Sequence, residues 1–250
     1  MIRDEILFLP IDIPKLSINL DKIKAFRKQC MSDEVFGDRF FRSVSLRGPV
    51  NSKSKSFYHI YDATSDWQWT DTATDHFQEV IDHIKLLPFK LVTFVSFIGA
   101  KDNKLMPPHY DYPLHQLPDH VKQNEPYAYR VSLGDIHDAF YVSTMQGLTE
   151  DELDNGKYLF GNLPLTTNNC NMTCSKSFHG TLPKEDKETL FVSGILDEAA
   201  HRQLIDRSYE KYKDFAITSN MLSNIGRPLR EIVPLPWGDL RKRHPELYEL

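Results

Sequence analysis

The chain has 250 residues and a mass of 29.1 kDa, with 40% hydrophobic and 26% charged residues, ordinary globular usage that excludes wholesale disorder and fibrous repeats. A formal net charge of −5 is spread along the chain without a basic stripe, so nucleic acid is not an expected partner. One domain is expected over residues 1–250: 1–89 as N-terminal helices and strands that support a core, 90–196 as the core itself, and 197–250 as a C-terminal helix and Pro-rich tail.

In chain order, "MIRDEILFLPIDIPKL" carries an apolar patch interrupted by Asp and Pro, too short for a signal or membrane segment, and the chain is read as cytoplasmic. "NLDKIKAFRKQCM" is an expected helix, with Asn19 as its cap and Leu20, Ile23, Phe26 and Cys30 at helical spacing. "DTATDHFQEVIDHIKLL" is a second, with Phe77, Val80, Ile81, Ile84 and Leu87 in one apolar stripe that Pro88 ends.

Between and after these helices the pattern shifts to short β-branched and aromatic runs: "FFRSVSL", "SFYHIYD", "KLVTFVSFI", "YAYRVSLGD", "AFYVST", "GKYLFGN", "NMTCSKSF" and "TLFVSGIL". In the third, Val92, Phe94 and Ser96 alternate with Thr93, Val95 and Phe97. Short strands broken by Gly, Pro and Asn predict a double-sheet jelly roll or a barrel, mainly β with flanking helices. A third helix is expected from Asp197, with Ala200, Leu204, Ser208 and Tyr212 on one side, and the tail's Trp237, Leu247 and Tyr248 are expected to dock on the body.

Cys30, Cys170 and Cys174 are odd in number and lack a framework spacing, as expected for reduced thiols. "CNMTC" is read as placing Cys170 and Cys174 half-buried on a strand, not as a metal clip.

The chemistry-bearing stretch is "PPHYDY", where a Pro-Pro turn after a strand-like run leads into His109 and Asp111. Residues i and i+2 of a strand point to one face, so an imidazole and a carboxylate there can reach one point. That donor pair suits Fe(II), Mn(II) or Zn(II) and needs a third ligand. His179 in "CSKSFHGTLP" is the candidate, since His115, His120 and His137 fall in loop-like sequence. The three would form a facial triad of two imidazoles and one carboxylate with open positions.

From residue 90 to 197 the motifs "PPHYDY", "YAYRVSLGD", "DNGKYLFGN", "SFHGTLP" and "ETLFVSGILDE" resemble, in order and spacing, the Fe(II)/2-oxoglutarate-dependent oxygenases with a double-stranded β-helix (jelly-roll, cupin-like) core, in particular the aspartyl/asparaginyl β-hydroxylase-like branch. The resemblance implies an oxidoreductase, a dioxygenase acting as a hydroxylase, in which His109, Asp111 and His179 hold Fe(II) while 2-oxoglutarate and dioxygen are cosubstrates. Family members often place an Arg about ten residues after the distal His, where this chain has Thr189, with Lys187 two residues before. Arg130, in an otherwise apolar-alternating strand, is the first choice to bind the cosubstrate's distal carboxylate, and Lys187 the second. Arg47 and Tyr110 are the candidates for binding substrate, which is a small acid, an amino acid or a protein side chain. Two alternatives stand beside this reading: a non-catalytic β-helix protein that binds a ligand or partner, and a Zn(II)- or Mn(II)-dependent hydrolase or isomerase on the same triad.

Overall fold

A computed structural model describes residues 6–29, 41–49, 66–100, 106–109, 127–133, 140–143, 157–161, 169–174, 178–181, 188–225 and 227–228. The strand expected at "SFYHIYD", Cys30 and the tail's Trp237, Leu247 and Tyr248 lie outside them.

The N-terminal apolar run forms strand β1 (Ile6–Pro10), in which Leu7, Phe8 and Leu9 are all buried. The chain continues along the body through a two-way clip at Asn169, whose side chain accepts from Leu16 N at 3.1 Å and donates to Leu16 O at 2.8 Å. Helix α1 (Leu20–Gln29) follows. Asn19 caps it as expected: Oδ1 accepts from the backbone N–H of Asp21 and Lys22, satisfying donors that the first turn leaves free.

The second expected helix is divided into α2 (Asp71–His76) and α3 (Gln78–Ile84). The break falls at Phe77, where φ −134° and ψ 42° leave the helical region, and its buried ring meets Phe26 and Phe97 edge-on at 5.2 and 4.9 Å. The predicted stripe survives the break, since Phe77, Val80, Ile81, Ile84 and Leu87 are all buried. Helix α4 (Glu198–Tyr212) begins at its Asp197 cap, which accepts from Ala200 N. It buries Leu204, Ser208 and Tyr212, whereas Ala200 in the first turn is exposed.

The remaining strands are β2 (Phe41–Pro49), β3 (Trp67–Trp69), β4 (Phe89–Ala100), β5 (Met106–His109), β6 (Tyr127–Leu133), β7 (Phe140–Ser143), β8 (Lys157–Gly161), β9 (Cys170–Cys174), β10 (Phe178–Thr181), β11 (Glu188–Leu196), β12 (Ile217–Thr218) and β13 (Arg227–Pro228). A short helix α5 (Ser219–Ile225) lies between the last two. "NMTCSKSF", expected as one strand, supplies β9 and the start of β10, which belong to different sheets.

Eight strands form one sheet in the order β12-β1-β9-β6-β11-β4-β2-β3, and five form a second in the order β13-β8-β7-β10-β5. From β4 to β11 the antiparallel pairs are nested: β7 with β8, β6 with β9, β5 with β10, and β4 with β11. A long hairpin wound so that successive pairs fall on alternate sheets is a double-stranded β-helix, or jelly roll. The protein is therefore mainly β with flanking helices.

Register divides the large sheet into two faces. Val192, Val95, Tyr129 and Met172 are cross-strand partners, as are Leu190, Phe97, Val131 and Cys170. These residues join Ile23, Phe77, Val80, Ile84 and Leu204 in one hydrophobic cluster under the helices. Cys170 and Cys174 are fully buried, not half-buried, because β9 is an interior strand whose five residues are all buried. Burial raises the Cys170 thiol pKa far above its ordinary value.

The expected alternation in β4 holds from Phe94 to Phe97 and fails at Val92. The pairing with β11 shifts between Ser193 and Gly194, leaving Thr93 as an extra residue whose hydroxyl donates to Ser193 O. One extra residue moves the preceding side chains to the opposite face, and Val92 accordingly packs on the hydrophobic cluster with Val95 and Phe97. Gly194 is where the strands close up: a Cβ there would overlap Leu91 O and lie 3.0 Å from Val92 Cα.

Gly194→Ala is expected to destabilise the fold by about 2 kcal/mol or more, since the obstacle is backbone; a lowered urea midpoint is the measurement. A second expectation concerns His83, which is 6% exposed and whose Nε2 has no hydrogen-bond partner among the described residues. Burial holds its pKa below the ordinary value, which is about 6.5. The folded ring thus binds fewer protons than the unfolded one, so its stabilising share is present above about pH 6.5 and is lost as pH falls through the folded pKa. His83→Leu is expected to lose less melting temperature than the parent between about pH 7 and about pH 5.

Candidate metal and anion site between the sheets

The face of the large sheet turned away from the helices is polar at its centre. Arg130 on β6 stands between Asn171 on β9 and Phe191 on β11, its cross-strand partners. Asn171 and Thr173 follow at i and i+2 on β9 and are buried, with the Thr173 hydroxyl donating to Asn171 Oδ1 at 3.2 Å. Ser193 is fully buried on the same face, and its Oγ has no hydrogen-bond partner among the described residues. Phe191 is the apolar wall: the Arg130 guanidinium lies 5.1 Å from its ring centroid, and Phe94 meets it from β4.

Arg130 is 9% exposed and reaches across the interior to the second sheet, where its Nη2 lies 3.1 Å from His179 Nε2. His179, on β10, is 2% exposed. The side chain expected to bind a carboxylate and the expected distal histidine are therefore in direct contact.

His109 ends β5, and the register places it opposite His179. Pro107 and Pro108 lie within β5 and not in a turn. They are tolerated because β5 is the edge of its sheet, where a missing N–H breaks no ladder. Between His179 and Thr181 the pairing shifts by a residue, a bulge of the kind that re-aims a side chain beside a site.

Asp111, Tyr110, Lys187, His115, His120 and His137 lie outside the described residues. No cluster of three or more metal-binding side chains occurs among the described residues. Position 109 opposite a buried His179 nonetheless fits a metal that takes nitrogen donors, with Asp111 two residues further along the chain.

Arg47 stands apart from this group. Its Nε donates to Val92 O at 2.8 Å, and its guanidinium lies 5.1 Å from the Trp69 ring centroid. Burial lowers its pKa, with Asp66 acting in the opposite sense. Asn171, Thr173, Phe191 and Ser193 were not picked out from the sequence. Their signal was present as period-two polar residues in β9 and β11, but which face of each strand is interior follows only from the pairing.

No protein-family model matches the chain, and no curated protein matches it. Among solved structures, it is similar to an oxidoreductase of the 2OG-Fe(II) oxygenase family from Burkholderia pseudomallei, at 10% identity over 70% of this chain and 75% of that one, with a TM-score of 0.36. It is also similar to a prolyl-4-hydroxylase from Pseudomonas putida, at 11% identity over 72% and 88%, with a TM-score of 0.30. A third is AviO1 from Streptomyces viridochromogenes Tue57, at 12% identity over 78% and 92%, with a TM-score of 0.40. Among the described residues no helix is long and apolar enough to cross a membrane.

Proposed function

We propose that the protein is a cytoplasmic Fe(II)- and 2-oxoglutarate-dependent dioxygenase that hydroxylates a C–H bond of a small acid, an amino acid or a protein side chain. The observation that supports it best is the buried Arg130 guanidinium aimed at His179, itself opposite His109, inside a double-stranded β-helix. A surface arginine on an edge strand would point to a binding protein; a guanidinium buried between the sheets beside His179 can meet an anionic ligand there with two parallel N–H donors.

In this reading His109, Asp111 and His179 hold Fe(II). When bound, the metal supplies, with 2-oxoglutarate and dioxygen, the oxidising chemistry that yields hydroxylated product, succinate and carbon dioxide. Arg130 pairs with the distal carboxylate of 2-oxoglutarate through two parallel N–H···O bonds, and Phe191 keeps the guanidinium plane in place. The Asn171–Thr173 pair and Ser193 offer hydroxyl and amide groups along the same wall. The two sheets exclude bulk water, which strengthens each of these polar contacts.

The missing arginine after the distal histidine has a geometric answer. Thr189 pairs with Ser132, and Arg130 lies two residues along β6, so the cation sits diagonally across one rung on the same face. Lys187 is the second choice for that carboxylate, and Tyr110 is proposed to meet substrate.

Anaerobic titration of the purified protein with Fe(II) and 2-oxoglutarate tests the proposal. A weak visible charge-transfer band is expected in the parent and should vanish in His109→Ala, Asp111→Ala and His179→Ala. Arg130→Ala is expected to need on the order of thirtyfold more 2-oxoglutarate, the equivalent of about 2 kcal/mol for truncating one partner of a buried charge pair. Fe(II) binding without a 2-oxoglutarate band would move the protein to a Zn(II)- or Mn(II)-type hydrolase or isomerase, and no binding of either would make it a non-catalytic ligand-binding protein.

A further inference from the structure

We propose that Arg47 and Trp69 form a second binding site, on the helix side of the large sheet, for the carboxylate of an apolar acid. The site lies on the opposite face of that sheet from His179 and does not depend on the metal reading. Cross-strand partners share a face, and Trp69, Arg47 and Val95 are partners across β3, β2 and β4. Val95 belongs to the hydrophobic cluster under the helices and Trp69 packs against it, whereas Arg130 reaches to the second sheet.

Two contacts hold the half-buried guanidinium. β2 pairs with β4 only as far as Arg47 and Val95, so Val92 O, past the end of that ladder, accepts from Arg47 Nε at 2.8 Å. The Trp69 ring centroid lies 5.1 Å away and backs the plane. The edge that remains carries Nη1 and Nη2. Neither nitrogen has a hydrogen-bond partner among the described residues, and Arg47 forms no ion pair with them. Asp66 acts on Arg47 through its charge, but its Oδ2 accepts from Gln68 Nε2 at 3.0 Å, and burial disfavours the guanidinium charge by more than Asp66 restores.

Two N–H groups held in one plane match the two oxygens of a carboxylate. An arginine already fixed by the fold has also given up the side-chain freedom that binding would otherwise cost. Trp69, itself half-buried, supplies an apolar wall beside the fork, which suits a hydrocarbon body attached to the carboxylate. A single guanidinium edge offers no donor for the further oxygens of a phosphate, so an aromatic or aliphatic monocarboxylate fits this site better than a bare inorganic anion.

The test is titration of the protein with benzoate, with benzamide as its uncharged counterpart and inorganic phosphate as the bare anion, read by NMR at the Arg47 side-chain N–H groups and the Trp69 indole N–H. Benzoate is expected to shift both saturably, benzamide to shift neither, and phosphate to need about tenfold more, the size of one charged hydrogen bond. Arg47→Lys keeps the charge without the planar pair of donors and is expected to weaken benzoate about tenfold; Arg47→Gln is expected to abolish the Trp69 response. Because Arg47 also holds Val92 O, a variant that does not fold leaves the parent to decide: Arg47 resonances unmoved by benzoate overturn the site. Benzamide or phosphate binding as tightly as benzoate overturns the assignment to an apolar acid, and a Trp69 response that persists in Arg47→Gln overturns the role of Arg47.

Discussion

A sheet buried on both faces must separate its side chains by strand parity, and the rest of this protein follows from that constraint. Along β6, the odd positions Tyr129, Val131 and Leu133 enter the hydrophobic cluster under the helices, while the even position 130 faces the second sheet. A charged group on that inner face loses its hydration, which costs several kcal/mol per ion unless a partner is supplied. Arg130 has Phe191 beneath it and His179 in front of it. An interior lined by a guanidinium, an imidazole, amides and hydroxyls is poor as a hydrophobic core and well suited to a small polar ligand.

The nested hairpin supplies the other half of the geometry. Winding one long antiparallel pair across two sheets brings the end of β5 against β10, so that His109 and His179, far apart in sequence, become opposite partners. The same winding sets β6 and β11 side by side in the facing sheet, which puts Arg130 next to Phe191 and diagonal to Thr189. Two of the register shifts bear on this geometry: the bulge beside His179, and the Thr93–Gly194 shift that returns Val92 to the apolar side. Each adds twist and changes side-chain direction locally.

Much of the scaffold was legible in the residues. The caps at Asn19 and Asp197, the apolar stripe from Phe77 to Leu87, and the alternation from Phe94 to Phe97 depend on neighbours a few positions away, and each stands in the structure. Features set by distant chain were misread. The helix at 71–87 breaks where Phe77 meets rings from α1 and β4. Pro107 and Pro108 resemble a turn until an edge position removes the need for their N–H groups. "NMTCSKSF" passes from one sheet to the other, and the apolar N-terminal run takes its strand partners, β9 and β12, from far along the chain.

The sequence by itself determined the class of architecture and the donor types, because strand and helix periods and the chemistry of His, Asp and Arg are local properties. Only the tertiary structure decided which of them meet. Parity says that Arg130 and Tyr129 lie on opposite faces but not which face is interior, and no spacing reveals that positions 109 and 179 share a rung. Those facts come from strand pairing, which depends on the winding of the whole hairpin and on the burial of the large sheet between the helices and the smaller sheet.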